Sequence, residues 1–173
     1  NISFNDIING QEFAIDALEL KNLFDQTLFA TSDKESRPIL TGLNFKCEGN
    51  SLEVVATDTY RLTKKKVNLQ EFLDFNVTIP RNALDDVNKI VELGQNVIVT
   101  ITDKKVLFNL GDCMINTRII SGTYPDTSRL ISNEFSQTLS ILTKELVGAL
   151  DRACILLTEK NNVVKLNMDT EEV

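Results

Sequence analysis

Hydrophobic and polar positions along the chain spell out one pattern three times. An alternating segment ends at an isoleucine, and an amphipathic segment reaches its first inward leucine five positions later: Ile15 and Leu20, Ile79 and Leu84, Ile141 and Leu146. The intervals are 79 − 15 = 64 and 141 − 79 = 62 residues. The segments Glu12-Phe13-Ala14-Ile15, Asn76-Val77-Thr78-Ile79 and Thr138-Leu139-Ser140-Ile141 alternate with the period of a strand, and each runs into the period of a helix. A repeat of this length is one supersecondary unit. Two units fit between residues 12 and 131, and a third begins. Chains built this way tend to present an extended surface rather than enclose a catalytic pocket.

In the first unit the pattern predicts a strand at 12–16 and a helix at 17–31, with Leu20, Leu23, Phe24 and Leu28 inward and Lys21, Asn22, Asp25 and Gln26 outward. Residues 40–48 alternate with Leu43, Phe45 and Cys47 on one face. Gly49-Asn50 predicts a turn with positive φ, and 52–57 returns as a second strand. A third strand, 60–67, carries Lys64-Lys65-Lys66, which alternate faces and so form no compact patch. The second unit predicts a strand at 75–80, a helix at 81–93 with Leu84, Val87, Ile90 and Val91 inward and Gly94 as its stop, then strands at 96–101, 105–110 and 113–120. Val97-Ile98-Val99 does not alternate, as in a strand covered on both faces. Residues 121–135, with Gly122, Pro125 and Ser132, read as a connector. The third unit predicts a strand at 136–141, a helix at about 143–156 and a strand at 163–168, with the helix short of cover. The fold class is α+β, with helices on one side and antiparallel sheets on the other. The domains expected are a linker at 1–10, a complete domain at 11–131 made of units at about 11–70 and 73–121, and a truncated domain at 132–173.

Composition narrows the function. With 42% hydrophobic and 25% charged residues, this is an ordinary globular chain that can bury a core. No apolar run approaches the ~20 residues of a membrane span, and no signal pattern opens the chain. It begins with Asn1, which leads us to expect an internal fragment. Cys47, Cys113 and Cys154 are odd in number and far apart, which predicts reduced, buried thiols and a cytoplasmic location. The absence of histidine removes the commonest general base and metal ligand. Neither a Walker loop nor a dinucleotide fingerprint is present, and no cofactor is expected. Asp58, Asp85, Asp86, Asp103, Glu171 and Glu172 could hold Mg²⁺, but Asp85-Asp86 suit a helix start and Asp58 suits a turn. A metal-dependent phosphotransferase or nuclease using Asp58 and Asp103 stands as an alternative, as does a structural repeat protein with no DNA role. The net charge of −7, with a pI near 4.7, argues against a simple nucleic-acid binder. It can conceal a basic stripe on the helix exteriors: Lys21, Arg81, Lys89, Lys144 and Arg152, joined by Arg37 and diluted by Asp25, Asp85 and Asp151. Such a stripe gives weak, sequence-independent DNA contact.

Three long motifs carry a resemblance. Arg37-Pro38-Ile39-Leu40-Thr41-Gly42-Leu43-Asn44-Phe45, Val55-Ala56-Thr57-Asp58-Thr59-Tyr60-Arg61-Leu62 and Gly122-Thr123-Tyr124-Pro125-Asp126-Thr127-Ser128-Arg129-Leu130-Ile131 resemble the bacterial sliding clamp family, the beta subunit of DNA polymerase III. The resemblance covers essentially the whole chain, as a middle domain plus the start of a C-terminal domain. It implies a DNA clamp fold in which two subunits close into a ring around duplex DNA, helices inside and sheets outside. It implies a processivity factor, not catalytic by itself, within the DNA-directed DNA polymerase holoenzyme of a bacterial cytoplasm and nucleoid. It also implies a pocket for Gln-Leu-x-Leu-Phe peptides of the polymerase, the clamp loader and repair proteins. By motif, its middle-domain wall would be Leu40, Thr57, Thr59, Tyr60, Arg61, Leu62, Pro125, Arg129 and Leu130. The chain departs from the family pattern at Tyr60, where many relatives have His, and at Thr59, where they have Gly or Ser. Both changes add bulk at the rim.

Overall fold

The structure, a computed structural model, describes residues 10–132, 134–157 and 163–167. Most of the linker expected at 1–10, with Met168 and Glu171-Glu172, lies outside them. The chain divides into two compact units, 1–126 and 127–173, taken here separately.

The first unit runs β1 (Gln11–Asp16), α1 (Ala17–Thr27), β2 (Gly42–Thr57), β3 (Leu62–Pro80), α2 (Arg81–Ile90), β4 (Asn96–Ile101), β5 (Lys105–Asn109) and β6 (Met114–Arg118). Asp16 starts α1: its Oδ1 accepts the Leu18 and Glu19 N–H groups at 2.9 and 3.2 Å, a cap worth about 1 kcal/mol. The helix ends sooner than the 17–31 expected. The Thr27 hydroxyl bonds back to the Leu23 carbonyl at 2.6 Å, and Leu28–Ala30 tightens into a 3₁₀ turn. α2 likewise stops at Ile90 rather than residue 93, because Val91 turns extended while its N–H still closes on Val87. Gly94, at φ +85°, then belongs to the turn into β4.

One sheet has the antiparallel order β1-β4-β5-β6, with Gln11 opposite Ile101 and Asp16 opposite Asn96. The other is built by β2 and β3, whose register runs from Gly42 opposite Pro80 to Thr57 opposite Leu62 and shifts between Gly49 and Ser51. β2 is not straight. Lys46, Glu48, Ser51, Glu53 and Lys66 line one shallow cavity, whereas a straight strand would hold Lys46 and Glu53 about 23 Å apart at roughly 3.3 Å per residue. The chain therefore reverses at Gly49-Asn50, where Gly49 has φ +68°. Residues 69–72 of β3 drop out of the pairing at the same point. The second sheet thus has four arms, 73–80, 42–49, 51–57 and 62–68, which echo β1, β4, β5 and β6. Each repeat lends its first strand to the sheet of the other.

The two sheets and both helices share one core. Phe13 of β1 stacks on Phe75 of β3 with ring centroids 6.0 Å apart, and Leu20, Phe24, Phe45, Leu84 and Phe108 are buried around them. Gln11 fastens the same seam, donating to the Asp74 carbonyl at 2.6 Å and accepting the Asp74 N–H at 2.9 Å. Val97, Val99 and Ile101 are buried on one face of β4, and on the other Thr100 is buried and Ile98 half-buried, so the strand is covered on both faces as its imperfect alternation predicted. Burial pushes the Cys47 thiol up in pKa; Cys113 is half-buried.

The second unit contains α3 (Thr143–Cys154), which has no fully buried residue. Cys154 is consequently exposed, contrary to the burial expected of it. Residues 136–141 and 163–167 form no strand. β1 is held as a strand by β4, and no described strand pairs with either of these segments, which leaves their backbone groups without a ladder.

Two substitutions probe this packing. A Cβ at Gly42 would run into the Ile79 carbonyl and lie 2.9 Å from Cδ1 of Ile120, so Gly42→Ala should lose about 1–3 kcal/mol to overpacking. Phe45→Ala, in the fully buried face of β2, should lose about 3–5 kcal/mol. Urea denaturation followed by far-UV circular dichroism measures both.

Candidate functional site

Between β2 and β3 lies a turn of four residues, Asp58-Thr59-Tyr60-Arg61. Asp58 organises it, as its place at a strand end suggested. Its Oδ1 accepts the N–H groups of Tyr60 and Arg61, each at 2.9 Å, and its Oδ2 meets Arg61 Nε at 3.2 Å. The Arg61 N–H, then the Tyr60 N–H and the Arg61 charge hold the Asp58 carboxyl below its ordinary range. Thr57 closes the turn from beneath: its Oγ1 donates to the Arg61 carbonyl at 2.7 Å and accepts the Thr59 N–H at 3.1 Å. Thr59 sits at φ +80°, the only positive-φ residue other than glycine among the described residues. A β-branched side chain there costs on the order of 1–3 kcal/mol, a cost that a glycine would avoid. The geometry throws Tyr60 outward, 85% exposed, with Lys34 Nζ 5.8 Å from its ring centroid.

Below the turn, the Tyr124 oxygen accepts the Thr57 N–H at 3.1 Å. Burial pushes the Tyr124 hydroxyl up to about 12, against a smaller lowering by that hydrogen bond. Beside the turn opens a cleft of about 430 Å³, lined by Ser32, Lys34, Ser36, Arg37, Leu40, Asp58 and Thr59. Leu40, in the 3₁₀ turn Pro38–Thr41, forms its apolar floor. Its carbonyl accepts the Ser32 N–H at 2.9 Å, which ties the loop 32–37 over the cleft.

The residues expected in a peptide wall divide accordingly. Leu40 and Thr59 line the cleft; Thr57 and Arg61 build the turn; Tyr60 flanks it; Leu62 begins β3, half-buried. Pro125 is exposed beside Tyr124, and Arg129 and Leu130 are exposed residues of the second unit. Lys34, Ser32, Ser36 and Tyr124 were not anticipated. The first three sit in a polar, charge-balanced loop with no motif, and Tyr124 had been quoted only as part of one.

The cations expected on the helix exteriors are partly engaged. Lys21 Nζ donates to the Asn88 carbonyl at 2.6 Å, closing the C-terminal end of α2 where positive charge suits the dipole. Arg81 meets Asp33 at 3.1 Å and Asp85 at 3.5 Å, and Lys89 meets Asp86 at 3.5 Å. Lys144 and Arg152 are exposed on α3. Arg37 lines the cleft. The metal alternative finds no ligand set: Asp58 is occupied by its turn, and no group of three His, Cys, Asp or Glu side chains among the described residues could hold an ion.

Two titrations follow. Native Tyr124 keeps its proton to about 12, against 10.0 for an ordinary tyrosine. Its contribution to stability should be complete below pH 10 and vanish as pH rises through 12. Phenolate absorbance should show a late step that Tyr124→Phe removes. Asp58 has the opposite sign: its contribution is present above the ordinary aspartate value of 3.8 and lost as pH falls through its lower folded value. Asp58→Ala should accelerate hydrogen exchange at the Tyr60 and Arg61 amides at neutral pH, as measured by NMR.

With this geometry in hand, comparison with known proteins is direct. The sequence profile of the DNA polymerase III beta subunit, central domain, matches residues 14–126. The beta sliding clamp of Bacillus subtilis is 41% identical over 157 residues, covering 88% of this chain and 42% of that protein. The beta sliding clamp of Staphylococcus aureus is 39% identical over the same length, covering 89% and 42%. The chain thus spans about 42% of the length of these curated relatives. The crystal structure of the Bacillus subtilis DNA polymerase sliding clamp superposes with a TM-score of 0.81 at 38% identity, covering 88% of this chain and 41% of that one. A sliding clamp from Bartonella birtlesii bound to griselimycin gives 0.77 at 26% identity, covering 87% and 42%. The repeat, the two strand-exchanged sheets and the motifs around the turn agree with one conclusion: this chain belongs to the DNA polymerase III beta subunit family, whose central domain its residues 14–126 match.

Proposed function

We propose that the chain forms part of a processivity clamp: a non-catalytic ring component that encircles duplex DNA and docks its partners through short linear peptides. The observation that carries this reading is the family match across 14–126, the stretch that contains both helices and the cleft. In this reading a second subunit completes the ring, in the bacterial cytoplasm at the nucleoid, as part of the DNA-directed DNA polymerase holoenzyme. The partners are the polymerase catalytic subunit, the clamp loader and repair proteins. No described helix is long and apolar enough to cross a membrane.

The peptide wall comprises Leu40, Thr57, Thr59, Tyr60, Arg61, Leu62, Pro125, Arg129 and Leu130. Leu40 supplies an apolar floor for a peptide Leu or Phe, and the Arg61 stem covers apolar surface while its head stays wet. The Bartonella relative binds griselimycin, which supports a ligand-receptive surface in this family. DNA contact falls to Lys21, Arg37, Arg81, Lys89, Lys144 and Arg152. Because Lys21, Arg81 and Lys89 already have partners, their pull on phosphate is weak. Weak, salt-screened contact suits sliding, since a closed ring is retained by linkage rather than affinity.

Titrating the isotope-labelled chain with a Gln-Leu-x-Leu-Phe peptide should move the amide signals of Leu40 and Thr57 to Leu62 first, at micromolar to millimolar peptide. Arg61→Ala should weaken binding about tenfold, in line with loss of a central arginine anchor. Shifts spread evenly over the unit, or none up to several millimolar in a folded chain, would overturn the docking role.

A further inference from the structure

The stretch after β6 begins as a plain connector and ends in the docking wall. It is pinned first where the Ile120 N–H donates to the Thr78 carbonyl at 2.8 Å. Further along, the half-buried Tyr124 accepts the Thr57 N–H at 3.1 Å. Thr57 is itself buried, and it is the last residue of β2 to pair with β3, opposite Leu62. Its hydroxyl then donates to the Arg61 carbonyl at 2.7 Å and accepts the Thr59 N–H at 3.1 Å. A line of hydrogen bonds therefore runs from the connector, through a strand end, into the turn. The turn needs such a line. Thr59 sits at φ +80°, a conformation that a β-branched residue keeps only where its surroundings over-determine it. Asp58 supplies part of that restraint through the Tyr60 and Arg61 N–H groups. Thr57 supplies the rest, and Thr57 is oriented by Tyr124.

We propose that Tyr124 is a positioning residue for peptide docking: its oxygen holds Thr57, and through Thr57 the left-handed Thr59 and the Arg61 carbonyl, in the conformation that receives a partner. The same bond ties Pro125, the next residue of the connector, to that strand end. This rests on the docking reading above. It gives Tyr124 a task without direct contact to the peptide, since the hydroxyl is spent on a backbone N–H beneath the turn. Burial pushes that hydroxyl up to about 12, so it remains a neutral acceptor at any working pH. Phenylalanine would keep the ring and delete the acceptor, leaving the buried Thr57 N–H without this partner. The turn would then sample other conformations, and the apparent affinity would fall with the fraction of chains still competent to dock.

The test uses the whole chain and an N-acetylated, C-terminally amidated Gln-Leu-Ser-Leu-Phe peptide, with amide NMR reading both binding and hydrogen exchange. Tyr124→Phe should weaken the peptide about 3- to 10-fold and speed exchange at the Thr57, Thr59 and Arg61 amides by a similar factor, the size of one net hydrogen bond. Val106→Ala, a truncation in the buried face of β5, controls for a general loss of stability. Compared where every variant is fully folded, it should leave the affinity and those three exchange rates at parent values. Linkage is reciprocal, so on the parent chain saturating peptide should slow Thr57 exchange about 3- to 10-fold, a measurement that needs no variant to fold. Unchanged affinity in Tyr124→Phe, or an equal loss in Val106→Ala, overturns the positioning role while leaving the docking reading intact. Thr57 exchange that is the same with and without bound peptide overturns it too. A folded parent chain that binds no peptide overturns both.

Discussion

Pairing of β1 with β4 is the constraint on which the first unit depends. It commits the opening strand of the first repeat to the sheet of the second, and the 73–80 arm of β3 returns the exchange by pairing with 42–49. Neither repeat therefore has a sheet of its own to complete. The Phe13–Phe75 stack and the Gln11–Asp74 bonds lie across the seam where the two loans meet. The helices close over a core that neither half could fill, because Leu20 and Phe24 of one repeat and Leu84 and Val87 of the other belong to the same cluster. Edge pairing, core burial and symmetry are one fact seen from three directions.

Much of this was legible in the chain. The Ile-to-Leu spacing located the strand-to-helix junctions at Asp16 and Pro80 within a residue, because a change of period from two to 3.6 is forced wherever an apolar face must stay buried. Gly49 marked a turn whose φ of +68° only glycine adopts freely. Strand exchange was not legible, since alternation says which face is buried and nothing about which strand lies alongside. The helix ends were overestimated because Thr27 and Val91 look acceptable in a helical pattern, and their departures depend on a hydroxyl and a local ψ. Strands expected at 136–141 and 163–168 had the right alternation, but alternation without a neighbour does not make a ladder, as residues 136–141 and 163–167 demonstrate.

The site divides the same way. Asp58 could be assigned to a turn from its position after a strand, and Leu40 to the apolar floor through the motif resemblance. The left-handed Thr59 carries no sequence signal beyond its departure from the family's usual small residue. The bonds from Thr57 and Asp58 that enforce it are side chain to backbone, and these are invisible to any hydropathy pattern. Charge was the hardest to read. Arg37 had been joined to the helix cations as an outlying member, and it lines the cleft; Lys21 had been placed on the outward face of its helix, and its ammonium closes α2. Local neutrality in the loop 32–37 hides opposite electrostatic characters on its two sides.

The exchange of strands also sets a clock. β1 emerges early in synthesis but cannot find its partner until Ile101 has been made, some 85 positions after Asp16. At a bacterial pace of roughly 5–20 residues per second, the apolar face of β1 and the helix behind it wait on the order of 4–17 s for closure. During that interval Phe13 and Ile15 have no sheet. A chain organised in this way trades early local folding for a single late closure in which everything forms together. A unit so closed has no half that can come away independently.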